Sequence, residues 1–150
     1  MPEHDASSPV EVEGATPILS VARIEASLRY YVDALGFRVL WQHGDFGAVE
    51  RGDASLMLCE GEQGHAGTWV YLGVSDSDAL HDELRARGAL IRHPPTNYPW
   101  GSRELHVTDP DGHVLRFGSE LREGEPMGEW LDSKGGRWMP EPDGGWRRVP

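Results

Sequence analysis

The apolar positions of this chain alternate between two spacings, and the order in which they do so occurs twice. Pro17-Ile18-Leu19-Ser20-Val21 is a short apolar run of strand length. Ile24, Leu28, Tyr31, Val32 and Leu35 then recur at helical spacing, and Gly36 follows as a helix stop. Phe37–Trp41, Phe46–Arg51 and Ser55–Cys59 read as strands, with Arg51-Gly52-Asp53 as a turn between the last two. Glu60–Gly67 is polar and glycine-bearing, and reads as a linker. The order then starts again. Trp69–Val74 is a strand, and Ser75 or Asp76 caps a helix whose apolar positions are Leu80 and Leu84. Gly88 ends that helix, and Leu90-Ile91-Arg92 is a strand. His93–Ser102, with Pro94-Pro95 and Tyr98-Pro99-Trp100-Gly101, is predicted as a loop. Arg103–Thr108 and Val114–Phe117 are strands joined by a turn, Asp109-Pro110-Asp111-Gly112, in which proline presets φ and glycine supplies φ > 0.

The repeat defines two βαβββ units, 16–60 and 68–118, with Val21 corresponding to Val74 and Gly36 to Gly88. The predicted fold class is α+β: two paired βαβββ modules forming a curved mixed sheet whose concave face is a natural ligand site. Residues 15–118 make one domain, and 1–14, polar and acidic, are expected to be a disordered leader. Residues 119–150 lie outside both units. This tail is rich in glycine and proline yet holds Trp130, Trp138 and Trp146, half of the six tryptophans. Disordered tails are poor in aromatics, so the tail is expected to dock: on its own subunit, across a dimer, or over the groove. Pro142-Asp143-Gly144-Gly145 would turn Trp138 back toward Trp146.

Charge and cysteine content narrow the partners. A net charge of −11 without a basic patch argues against nucleic acid and makes a cationic small molecule an electrostatically plausible ligand. No apolar run approaches the roughly 20 residues of a membrane span, and 1–14 lacks the pattern of a signal peptide. A cytoplasmic location and no membrane partner are therefore expected. The single cysteine, Cys59, excludes an intrachain disulfide.

Several segments resemble the glyoxalase/bleomycin-resistance/dioxygenase (vicinal oxygen chelate) superfamily: Pro17–Val21, the helix ending Tyr30-Tyr31-Val32-Asp33-Ala34-Leu35-Gly36-Phe37, Asp45-Phe46-Gly47-Ala48-Val49, Tyr98-Pro99-Trp100-Gly101, and Asp109–Phe117. The likeness spans about 16–118. Leu35-Gly36-Phe37 and Asp109-Pro110-Asp111-Gly112 are shared across the superfamily and indicate a fold. Asp45-Phe46-Gly47 and Pro99-Trp100-Gly101 point to its bleomycin-resistance branch, whose members are dimers that sequester an antibiotic in grooves between subunits. The resemblance thus implies a homodimer and non-enzymatic sequestration of a hydrophobic aromatic molecule, such as a bleomycin-type antibiotic.

Superfamily enzymes hold a divalent metal through histidine and glutamate on the first and last strands of the modules. The corresponding positions here carry Thr16, Trp69 and Arg116, none of them a usual ligand. The resemblance therefore implies no metal, no cofactor and no catalytic residue. Of seven histidines, six, including His93 and His113, read as solvent-facing. His106 lies mid-strand, either packed or facing the concave surface. The rival reading is a superfamily lyase, isomerase or dioxygenase working through His106, Glu104 or Arg103. By the resemblance, the ligand groove is lined by Trp41, Phe46, Tyr71 and Trp100, with Cys59 where the family places a small polar residue. Trp69 fills the vacated metal position, and Arg103, Arg116 and His106 contribute polar contacts.

Overall fold

The computed structural model describes residues 9–150, so the expected leader falls mainly outside the described residues; 9–17 carry no helix or strand. The first module comprises β1 (Ile18–Ser20), α1 (Ile24–Asp33), β2 (Arg38–His43), β3 (Phe46–Arg51) and β4 (Ala54–Cys59). The second comprises β5 (Trp69–Gly73), α2 (Ser77–Ala86), β6 (Leu90–Tyr98), β7 (Ser102–Thr108) and β8 (Val114–Ser119). Each builds its own four-stranded sheet, in the orders β1-β4-β3-β2 and β5-β8-β7-β6. In both, the first strand runs parallel to the last and the other pairs are antiparallel. No helix among the described residues is long and apolar enough to cross a membrane.

Strand alternation decides which face meets which. Leu19, Val49, Leu56 and Leu58 from the first sheet and Leu72, Leu105, Val107, Leu115 and Phe117 from the second join one core with Ile24, Leu28 and Tyr31 of α1 and Leu80 and Leu84 of α2. Burying each such leucine contributes about 1.5–3 kcal/mol. The helix-bearing faces of the modules are therefore turned toward each other, and the opposite, outer face of each sheet is left for function.

The motifs common to the superfamily-like pattern are what join the modules. Tyr31 donates to Asp109 Oδ2 at 2.8 Å, and Asp111 Oδ1 accepts from the Ala22 amide at 2.8 Å. The Asp-Pro-Asp-Gly turn is thus pinned against the first module. Gly36, at φ +73°, lies so close to the Arg51 guanidinium that a Cβ there would collide with it. Arg51 in turn grips Glu83 of α2 through two 2.7 Å bonds. Asp76 caps α2, accepting from the amides of Asp78 and Ala79. α1 has no cap from its own Arg23; Glu60 of the linker instead accepts from the Ile24 amide at 2.6 Å.

Two expectations are corrected. The expected loop at 93–102 is largely strand: β6 runs through Pro94-Pro95 to Tyr98. Prolines are tolerated because β6 is the sheet edge and its pairing with β7 shifts register between Ile91 and Thr96. His113 is not solvent-facing but fully buried at the module junction, where Nδ1 accepts from the Thr68 amide at 3.0 Å and Nε2 bonds the Ser20 carbonyl at 2.6 Å.

The tail is ordered into a three-stranded antiparallel sheet: β9 (Trp130–Leu131), β10 (Arg137–Pro140) and β11 (Trp146–Val149), in the order β11-β10-β9. The 141–145 turn does form a hairpin, but Trp138 faces Arg148 and Trp146 faces Pro140. The tail is fastened to the edge strand β6. Asn97 Nδ2 donates to the Arg122 and Glu125 carbonyls, Tyr98 donates to the Glu129 carbonyl at 2.9 Å, and Arg92 Nη2 donates to the Leu131 and Asp132 carbonyls.

Candidate functional site

The predicted aromatics fall on the two outer faces. On the first sheet, Trp41 and Phe46 lie across the β2–β3 hairpin and stack, with centroids 5.4 Å apart and planes parallel to within 1°. Phe46 is paired in register with Cys59, which is buried and free. Trp41 remains 41% exposed, and its neighbours Val39 and Leu40 on the edge strand β2 are exposed to the same degree. This is a presented apolar platform, since large rings are ordinarily covered.

The outer face of the second sheet carries Trp69 and Tyr71 on β5, Arg116 on β8, Glu104 and His106 on β7, and Tyr98 on β6. Its centre is Glu104, fully buried. Glu104 accepts from Trp100 Nε1 at 2.6 Å, from His106 Nε2 at 2.9 Å, and from Arg116 through Nε and Nη2 at 2.8 and 3.0 Å. Burial opposes its ionisation, but the bonds from His106, Arg116 and Trp100 outweigh it and hold its pKa at about 2. Arg116 lies over the rings of Tyr71, Trp100 and Trp130 at 5.5, 5.6 and 5.2 Å. Gly118 permits this packing: a Cβ there would strike the Tyr71 hydroxyl, which bonds Ser102.

Trp130 of the tail enters the middle of this face. It stands edge-on to His106 at 5.0 Å, stacks on Trp69 at 5.7 Å, and meets Tyr98 and Trp100 edge-on at 5.3 and 5.5 Å. Its aromatic character was legible in the sequence; its destination was not, because a 32-residue tail offers no local signal for the surface it will cover.

Residues 14–117 match the Glyoxalase/Bleomycin resistance protein/Dioxygenase superfamily. The chain belongs to this superfamily. A similar solved structure is the bleomycin-binding protein of bleomycin-producing Streptomyces verticillus, complexed with copper(II)-bleomycin. It is 32% identical, with 75% of this chain and 99% of that one covered and a TM-score of 0.64. A bleomycin resistance protein of Geobacillus stearothermophilus is 27% identical over 71% of this chain and 96% of its own length. The bleomycin resistance determinant encoded on transposon Tn5, at 21% identity, shares the fold with a TM-score of 0.64. The superfamily match ends at 117, so the tail sheet lies beyond it.

The divalent metal used by superfamily enzymes does not fit the donors present. Trp69 packs as an indole against Trp130, and Arg116 places a guanidinium beside Glu104 where a cation would sit. Among the described residues, no three histidines, cysteines or acids come together as a ligand set. Glu104 itself is fully hydrogen-bonded and strongly acidic, which makes it a poor general base.

Arg103 is not on the outer face. Strand alternation puts it on the core side of β7, where it clamps Asp78 of α2 through bonds of 2.8 and 2.9 Å and Glu125 of the tail at 2.8 Å. It is thus held away from Trp100 and Arg116, and its role as a ligand contact is corrected to a structural one. His106 lies on the outer face but is wholly covered, with Nδ1 unbonded beneath the aromatic cluster. His93, expected to face solvent, is half-buried and centred 6.3 Å from His106. Trp41, Phe46 and Cys59 come together on one sheet, and Trp69, Tyr71, Trp100 and His106 on the other.

Proposed function

We propose that this protein binds and sequesters a hydrophobic aromatic molecule of the bleomycin type, without altering it, and so confers resistance. The observation that carries the reading is the parallel Trp41–Phe46 stack, in which Trp41 stays 41% exposed. A platform of this kind recognises a planar ring by stacking and burial, with little side-chain entropy left to lose. The kinship with a protein solved in complex with copper(II)-bleomycin supports it. The charge of −11 favours a cationic ligand at long range.

The functional unit in this reading is a cytoplasmic homodimer. A second copy packs along the exposed Val39 and Leu40 on the edge strand β2, and Trp41 faces the ligand in the groove between the copies. Bacterial cells expressing the chain should grow in bleomycin concentrations that stop control cells, and the Trp41→Ala variant should lose that protection. Sedimentation at micromolar concentration should give the mass of two chains. Equal growth of expressing and control cells would contradict the reading.

A further inference from the structure

The tail sheet is anchored along one edge. Among the described residues, the bonds that fasten it to β6 come from 122–132. The carbonyls of Arg122, Glu125, Glu129, Leu131 and Asp132 accept from Asn97, Tyr98 and Arg92, and the Gly128 amide donates to the Asn97 carbonyl. β9, beside those anchors, carries Trp130. β11 lies at the far edge of the sheet and pairs with β10. Strand alternation puts Trp146 of β11 on the same face as Trp138 and Trp130. There it meets Trp100, with centroids 6.1 Å apart and planes at 40°.

The Trp100–Trp146 pair is open on both sides. Trp100 is 49% and Trp146 38% exposed. With Trp130 and Trp138 they wall a space of about 660 Å³, and with Pro99 and the Gly144-Gly145 turn a smaller one of about 290 Å³. A planar ring held between two indoles needs roughly 7 Å between them, two contacts of about 3.5 Å each. The pair stands within about 1 Å of admitting one, and the strand that has to yield is the one farthest from the anchors. Trp130 sets the depth of entry. It stacks on Trp69 and covers His106, so an entering ring stops at Trp130 and does not reach those two side chains. Neither polar group at the larger space is free to select by charge. Arg116 is neutralised by buried Glu104, and Asp132 accepts from the Lys134 and Gly136 amides and from Trp138 Nε1. What this end of the groove offers is flat apolar faces.

We propose that the tail hairpin is a clamp arm of the ligand groove: a planar ring of the sequestered molecule is sandwiched between Trp100 and Trp146, over a floor made by Trp130. This rests on the sequestration reading above. It makes Trp146 a specificity-determining residue that lies beyond the superfamily match, which ends at 117. It also moves the deep contact of the groove from Trp69 and His106 to Trp130. A clamp acts on escape more than on encounter, since a ring that closes after entry slows dissociation and leaves association nearly unchanged.

Surface plasmon resonance with bleomycin over the immobilised full chain tests this, comparing the wild type with Trp146→Ala, Trp146→Leu, Trp146→Phe and Trp41→Ala. Trp146→Ala and Trp146→Leu should release bleomycin about fivefold faster, with association rates within about twofold of wild type. Trp146→Phe, which keeps a ring on the hairpin, should release it within about twofold of the wild-type rate. Wild-type dissociation in Trp146→Leu, or a loss confined to the association rate, overturns the clamp. If Trp41→Ala loses affinity in the same experiment, the sequestration reading stands without it. A wild-type chain that binds no bleomycin overturns both.

Discussion

Trp100 Nε1 donates to Glu104 Oε2 at 2.6 Å, so a half-exposed ring is tethered to a fully buried charge. The bond fixes the Trp100 plane where Arg116 can lie against it, and it completes the set of donors that keeps Glu104 ionised. Trp100→Phe keeps the ring and removes the donor. Its expected cost is about 1–2 kcal/mol, read as a lower urea midpoint at unchanged slope.

The Glu104 carboxylate also gives the fold an acid-sensitive stability. Its pKa in the folded chain is about 2 against an ordinary 4.5, so the unfolded chain binds the proton first as pH falls. The contribution is fully present above about pH 4.5 and is lost as pH falls toward 2, amounting to on the order of 3 kcal/mol. Urea midpoints measured between pH 5 and pH 2.5 should fall more steeply for the wild type than for Glu104→Gln. The variant should already be weaker at pH 7, because it leaves Arg116 without its counter-charge.

Trp130 is the keystone between the tail and the domain. Trp130→Ala removes the ring that covers His106 and stacks on Trp69. The expected cost is about 2–3 kcal/mol, below that of a fully buried tryptophan because Trp130 is partly exposed. Near-UV circular dichroism should report the loss of the coupled indoles.

Arg103 separates the structural account from the sequence expectation. Arg103→Met should lower stability by about 1–2 kcal/mol, since its partners Asp78 and Glu125 can rehydrate. Bleomycin affinity of the folded variant should stay within about twofold of wild type. A large affinity loss with unchanged stability would restore Arg103 to the ligand site.

The parts of this molecule legible in the sequence are those governed by local signals. Gly36 and Gly88 as helix stops, a cap at Ser75 or Asp76 and Asp109–Gly112 as a turn each depend on a few neighbouring residues, and the doubled order of elements follows from them. Trp41 and Phe46 were singled out by the resemblance alone, and the structure stacks them across one hairpin. What escaped was decided at long range. Pro94-Pro95 reads as a loop until β6 is known to be an edge strand, and His113 reads as exposed until β1 is brought to it. Arg103 changes face with a register that only the core assignment of Leu105 and Val107 settles. The Trp130 site needed a partner surface assembled from four strands.

The central claim is reversible sequestration on an aromatic platform, and the most direct measurement is a calorimetric titration with bleomycin, followed by denaturation and mass analysis of the recovered ligand. The account predicts saturable binding, at least tenfold weaker in Trp41→Ala while that variant's stability changes by no more than about 1 kcal/mol, and bleomycin recovered with its mass unchanged. No binding, an affinity indifferent to Trp41, or a ligand returned with altered mass would contradict it.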